Sequence, residues 1–168
     1  ESSCPARLQT PGKRIHLAID VIFDDIDRLV NEQPEQTEAY RLIGRRHVRS
    51  NNSWTHNYRR LTKGKPRHQL MMHPADAARL DLSDGQRVKV ASRVGELSVE
   101  LDISEDMMPG VVSLPHGWGH GRAGTRTRVA DKTPGVCVND LTDDQSVDVL
   151  SGNAVLNGVP VTVVGLPE

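Results

Sequence analysis

"RVKVASRVGELSVELDI", residues 87–103, alternates on both sides of Gly95: Val88 and Val90 precede it, and Leu97, Val99, Leu101 and Ile103 follow. A strict period of two puts every second side chain on one face, so the stretch predicts a half-buried hairpin in an antiparallel setting. "SDG", 83–85, is the turn that leads into it. Before that turn, "HPADAARL" predicts a short helix, with Pro74 in its first turn and Ala77, Ala78 and Leu80 facing inward. "QLMM" ahead of the helix and "VVSLP" after the "SEDMMPG" turn each predict a strand. Further out, "YRLIG" from 40 and "VPVTVVGL" at 159–166 predict two more.

"RIHLAI", 14–19, also alternates and predicts a strand, after a mobile lead-in of residues 1–12 that ends in a Pro-Gly turn. Asp20 is placed to cap a helix over 21–30, striped by Val21, Ile22, Phe23, Ile26, Leu29 and Val30. A polar connection fills 31–39. Six or seven short strands, two or three short helices and two long loops predict a small β-barrel, whose closure removes exposed edges.

The chain has 168 residues, enough for one domain with a real core. Its 21 Lys and Arg almost balance 22 Asp and Glu, so no overall field recruits nucleic acid or an acidic membrane. No stretch reaches the ~20 apolar residues that span a bilayer. Cys4 and Cys137 form neither a CxxC pair nor a disulfide framework, which fits a reduced, cytoplasmic compartment.

The first long loop contains "RRHVRSNNSWTHNYRR", residues 45–60, with five arginines, two histidines, three asparagines and a tryptophan. The second begins "HGWGHGRAGTRTR" at 116. Loops of such length in a compact domain are commonly functional. Asn51, Asn52 and Asn57 offer carboxamides that match the amide-like edge of a purine or pterin. Trp54 and Trp118 offer flat faces for a heterocycle, worth ~1–3 kcal/mol per ring in nucleic-acid systems. Arg45, Arg46, Arg49, Arg59 and Arg60 can clamp phosphate oxygens. Gly44, Gly117, Gly119 and Gly121 allow close backbone approach. Each group also has a plainer use: asparagines as turn residues, arginines as solvated surface, histidines as hydrogen-bonded structural groups. His116 and His120 lie four apart, yet the glycines between them disfavour a helix and the glutamate of HExxH is missing. Neither a GxxxxGK[ST] nor a GxSxG stretch occurs, which removes a P-loop and a nucleophile elbow.

In that order, "RLIGRRHVRSNNSWTHN", "MHPADAARLDLSDGQRVKVASRVGELSVELDI", "MMPGVVSLPHGWGH" and "VNDLTD…LSGNAVLNGVPV" resemble the C-terminal molybdopterin-dinucleotide-binding domain of the dimethyl-sulfoxide-reductase family. The likeness spans about residues 13–164, and its form is formate-dehydrogenase-like. It implies a mainly β, double-psi barrel and a bis(molybdopterin guanine dinucleotide) cofactor whose dithiolene sulfurs hold molybdenum or tungsten. By the same likeness Arg45, His47, Asn51, Asn52, Ser53, Trp54, His56 and Asn57 map onto a first cofactor-contacting segment. His116, Gly117, Trp118, Gly119 and His120 map onto a second, and Asn139 onto a third. Nothing in the chain resembles the family's iron–sulfur cysteines or metal-ligating residue. The expectation is therefore a fragment, 13–168, inactive alone, whose partners are the catalytic and iron–sulfur domains of the same enzyme. Two other readings stand beside it: a cofactor-free double-psi adaptor that recognises peptides, and a small metalloenzyme using His116, His120 and Asp131.

Overall fold

The computed structural model describes residues 6–32 and 39–167. Cys4 and most of the 31–39 connection lie outside the described residues. Six strands form where apolar residues alternate: β1 Tyr40–Arg45, β2 Leu70–Met72, β3 Arg87–Ala91, β4 Glu96–Ile103, β5 Val111–Pro115 and β6 Val159–Gly165. They close into a barrel in the order β1-β5-β2-β4-β3-β6.

The predicted hairpin is present, with Val88 opposite Val99 and Val90 opposite Leu97. These inward positions join Leu42, Leu70, Met72, Leu101, Val112, Leu114 and Val161 in one core, where burial is nearly complete. Each such side chain contributes about 1.5–3 kcal/mol. Elsewhere the antiparallel expectation gives way to a mixed sheet, because β1 pairs parallel with β5, and β2 with β4. Parallel pairing needs long crossovers, and the long connections of this chain supply them. Consecutive strands therefore flank a later one twice: β1 and β2 enclose β5, while β2 and β3 enclose β4. This is the double-psi arrangement expected of the sequence.

The helix after β2, α4 (Pro74–Arg79), starts at Pro74 as predicted. Its inward set differs: Ala77 is buried, Ala78 is exposed, and the buried neighbour is Asp76. The Asp76 carboxylate accepts from the Gly110 amide at 2.6 Å and from Arg79 at 3.1 Å. A carboxylate is buried here because it closes the turn before β5.

Two compact units divide the chain, residues 1–36 with 148–152, and residues 37–147 with 153–168. In the first unit, 14–19 is not a strand. The segment has no pairing partner among the described residues, and Ile15, Leu17 and Ile19 are exposed. The single helix predicted from Asp20 is two, α1 Asp20–Phe23 and α2 Ile26–Asn31, with Ile19 and not Asp20 at the N-cap. Alternation and helical periodicity fix an element only where a neighbour buries the apolar face, and the stripe from Val21 to Val30 stays exposed.

Candidate functional site

Strand directions decide where the loops emerge. β1 and β5 run parallel, β2 runs against β5, and β6 runs against β1. Consequently the connections 46–69 and 116–158, together with the hairpin tip at 92–95, all leave the same end of the barrel. The opposite end carries only α4 with its following turn and the short turn 104–110.

Within the first connection the backbone folds on itself through tight turns. The Ser50 amide donates to the His47 carbonyl at 2.9 Å, and that of His56 to Ser53 at 3.1 Å. Asn51 and Asn52 adopt φ values of 42° and 60°, the left-handed region that asparagine tolerates better than most residues. They therefore serve as turn residues while their side chains stay exposed. A short helix that the sequence did not foretell, α3 (Arg59–Thr62), completes the loop.

The second connection docks onto the first at Gly117. Its φ is +89°, and a Cβ there would lie 2.3 Å from the Asn52 carbonyl oxygen, so only glycine fits. Beside this contact a group of rings assembles from three segments. Trp118 stacks on His56 at 4.0 Å between centroids and tilts against His68 at 5.3 Å. His56 Nδ1 meets His120 Nε2 at 2.7 Å. His56 is 2 % exposed, and its Nε2 has no hydrogen-bond partner among the described residues. Burial chiefly, then the His120 and Arg67 charges, lower its pKa to about 4, against the opposing effect of the Gly117 backbone. Burial likewise lowers His68 and His120. These imidazoles are thus neutral near pH 7, holding shape by stacking and hydrogen bonding.

Two hollows open around the joint. One of about 390 Å³ is lined by Arg46, His47, Val48, Ser50, Asn51, Asn52 and His116. The other, about 80 Å³, lies between Arg49, Arg67, His68, His56 and Trp118. Arg46 donates to Asn52 Oδ1. Around His47, burial and then Arg67, Arg49 and Arg45 lower the imidazole pKa, which marks a positive local potential.

Other predicted residues are tied into the scaffold. Arg45 donates to the carbonyls of Ser113 and Gln69 at 3.1 and 3.0 Å, locking β1 to β5 and to the residue before β2. Asn57 Oδ1 accepts from the amides of Arg128, Val129 and Ala130, with Val129 nearest at 2.8 Å. Gly119 donates its amide to the Pro134 carbonyl at 2.9 Å. Ser53 is exposed beside Gly117, and Trp54 projects with 79 % of its surface open. Asn139 is exposed in the 3-10 turn Val138–Asp140, which packs on the hairpin tip at Gly95, away from the ring cluster. Arg93 of that tip holds Asp143 and lowers its pKa to about 2.

The structure thus brings His47, Asn51, Asn52 and His116 to one hollow, and His56, Trp118 and His120 to one cluster. Sequence reasoning missed His68, Arg67 and Ser50. Only their nearness to the loop's ends pointed to them, since a ring cluster built from three segments has no local spacing. Chemically, the larger hollow presents amide, imidazole and guanidinium groups together. It suits an anionic ligand with a heterocyclic edge, which fits a pterin dinucleotide, and the glycine cradle lets the backbone close in beside it.

Comparison with known proteins agrees with this geometry. The molydopterin dinucleotide binding domain family matches residues 40–160, from the start of β1 into β6. The tetrathionate reductase of Salmonella typhimurium is 28% identical over 121 residues, 62% of this chain and 12% of that protein. The ArrA molybdopterin-containing subunit of the arsenate respiratory reductase of Chrysiogenes arsenatis is 30% identical over 114 residues, 65% of this chain and 13% of that protein. Dimethyl sulfoxide reductase DmsA of Escherichia coli is 29% identical over 150 residues, 89% and 16% respectively. Acetylene hydratase from Pelobacter acetylenicus shares the fold, with a TM-score of 0.63 at 20% identity over 92% of this chain and 21% of that one. The chain spans less than a fifth of the length of these curated relatives. By that match over most of its length, it belongs to the molydopterin dinucleotide binding domain family of dimethyl-sulfoxide-reductase-type molybdoenzymes.

Proposed function

We propose that this chain is the cofactor-gripping part of a larger molybdopterin oxidoreductase, and that its two joined loops hold the pterin and phosphates of molybdopterin guanine dinucleotide. The observation that carries the reading is the meeting of the 46–69 and 116–158 connections over a polar, cationic hollow at one end of the barrel. Asn51, Asn52, His47 and His116 would pair the heterocycle's edges, and Arg46 would face its phosphates. The Trp118–His56 stack forms a rigid floor beside them. Pairing of this kind matters because an unmatched buried polar edge costs ~1–3 kcal/mol. When bound, the cofactor supplies a metal centre for oxygen-atom or electron transfer. The barrel's own residues orient the pterin, exclude water and hold positive charge near it.

The metal ligand and the iron–sulfur site belong, in this reading, to other parts of the enzyme, and the isolated chain has no redox activity. The formate-dehydrogenase-like form expected of the loops finds no support among the relatives, which are named as tetrathionate, arsenate and dimethyl sulfoxide reductases. A reductase is the reading they favour.

Asn52→Gly with His47→Ala in the intact enzyme tests the site. Glycine keeps the left-handed backbone at 52 while removing the carboxamide. Molybdenum and released guanine nucleotide should fall roughly tenfold at limiting cofactor, for a loss of about 1.4 kcal/mol. Full occupancy in the folded variant would refute the assignment.

A further inference from the structure

Charge in this chain is segregated. Residues 45–68 and 116–130 hold eleven of the 21 Arg and Lys and none of the 22 Asp and Glu, so the remainder is strongly acidic. Both segments emerge at the cofactor end of the barrel. Some of these cations have structural work: Arg45 and Arg67 donate to backbone carbonyls, and Arg122 pairs with Asp140. Others do not face the pterin hollow. Arg59 and Lys63 of α3 line a separate groove of about 380 Å³ with Lys132 and the hydroxyl-bearing Thr62 and Thr133. Arg60, Arg126 and Arg128 are exposed nearby in the chain. The positive potential reaches inward, since Arg67 helps to lower both His47 and His56.

Gripping one dinucleotide does not account for a second cationic groove. We propose that the enzyme built around this barrel acts on a small anionic substrate, and that the groove of Arg59, Lys63 and Lys132 is part of a cationic rim that draws it in. This rests on the cofactor-binding reading above and adds the substrate class to it. A rim of one sign concentrates oppositely charged ligands and raises their association rate, by roughly 10- to 1,000-fold at low salt. Screening removes most of that gain beyond about 8 Å at physiological ionic strength. The signature is a salt-dependent kcat/KM for anions that uncharged substrates lack.

The experiment uses the full-length enzyme with a reduced viologen donor and three acceptors: tetrathionate, arsenate and uncharged dimethyl sulfoxide. Turnover of at least one anion is expected, with a kcat/KM that falls as salt rises. Combined Arg59→Glu, Lys63→Glu and Lys132→Glu should lower that kcat/KM about tenfold at low salt, leaving kcat and molybdenum content unchanged. The matching Gln variants, gentler on folding, should lie between. Activity on dimethyl sulfoxide alone or on none of the three, a salt-insensitive anion rate, or equal losses with the neutral acceptor would each overturn the proposal. Loss of molybdenum with Asn52→Gly and His47→Ala reads the cofactor site separately, so the two claims fail independently.

Discussion

The two ends of the barrel are built on different principles. At the end of α4, connections are short and one buried carboxylate, Asp76, satisfies the turn before β5. At the other end, long connections are held together by a glycine-to-carbonyl contact, stacked rings and single hydrogen bonds. The first end has little polar surface left to offer. The second keeps amide, imidazole and guanidinium groups facing an open hollow. The difference teaches that a barrel can concentrate stability at one end and leave the other end polar for a ligand, because β pairing alone holds the two together.

The sharpest way to break that contrast is Gly117→Ala. The new Cβ would meet the Asn52 carbonyl, and the positive φ adds about 1–2 kcal/mol of its own. The loops should undock and cofactor occupancy collapse, while far-ultraviolet circular dichroism keeps its strand signal. A variant with full cofactor would show that the glycine joint does not organise the site.

Asp76→Ala should act in the reverse sense. It strands the Gly110 amide and costs about 1–3 kcal/mol of barrel stability in a urea titration. Cofactor content should hold once the variant is folded. A selective loss of cofactor would dissolve the division between the ends.

The smallest of the three effects is in pH. His56 titrates near 4 when folded and near 6.5 when unfolded, so between these values only the unfolded chain takes up its proton. Its contribution to stability is complete above pH 6.5 and is lost progressively as pH falls toward 4. His68 and His120, lowered in the same direction, add to the slope. The midpoint of thermal unfolding should therefore drop from pH 7 to pH 5, and His56→Phe should flatten the fall. An unchanged slope in that variant would remove His56 from the account.

How much of this was legible beforehand depends on the range of the interaction. The 87–103 hairpin was readable because both strands and their turn lie within seventeen residues, and alternation fixes which face goes in. The same alternation at 14–19 misled, since a strand also needs a partner and this segment has none among the described residues. Asp76 was hidden for a related reason: a carboxylate looks like surface until the amide it accepts from, 34 positions away, is known.

The site divided along the same line. Residue types in 45–60 and 116–120 were enough to point to an anionic heterocycle, because carboxamides, rings and forked guanidinium groups have chemistry independent of the fold. Which of them face a ligand was not in the types. Arg45 and Asn57 are occupied by backbone carbonyls and amides, and His68, unremarked in the sequence, stands against Trp118.

By itself, then, the sequence determined local periodicity, turn chemistry and the kind of ligand worth binding. The closure β1-β5-β2-β4-β3-β6 decided that two distant loops share one end and that His56 meets His120 there. Those outcomes depend on contacts between residues dozens of positions apart. Only packing the whole apolar core at once makes such contacts favourable enough to offset the entropy of closing the loops between them.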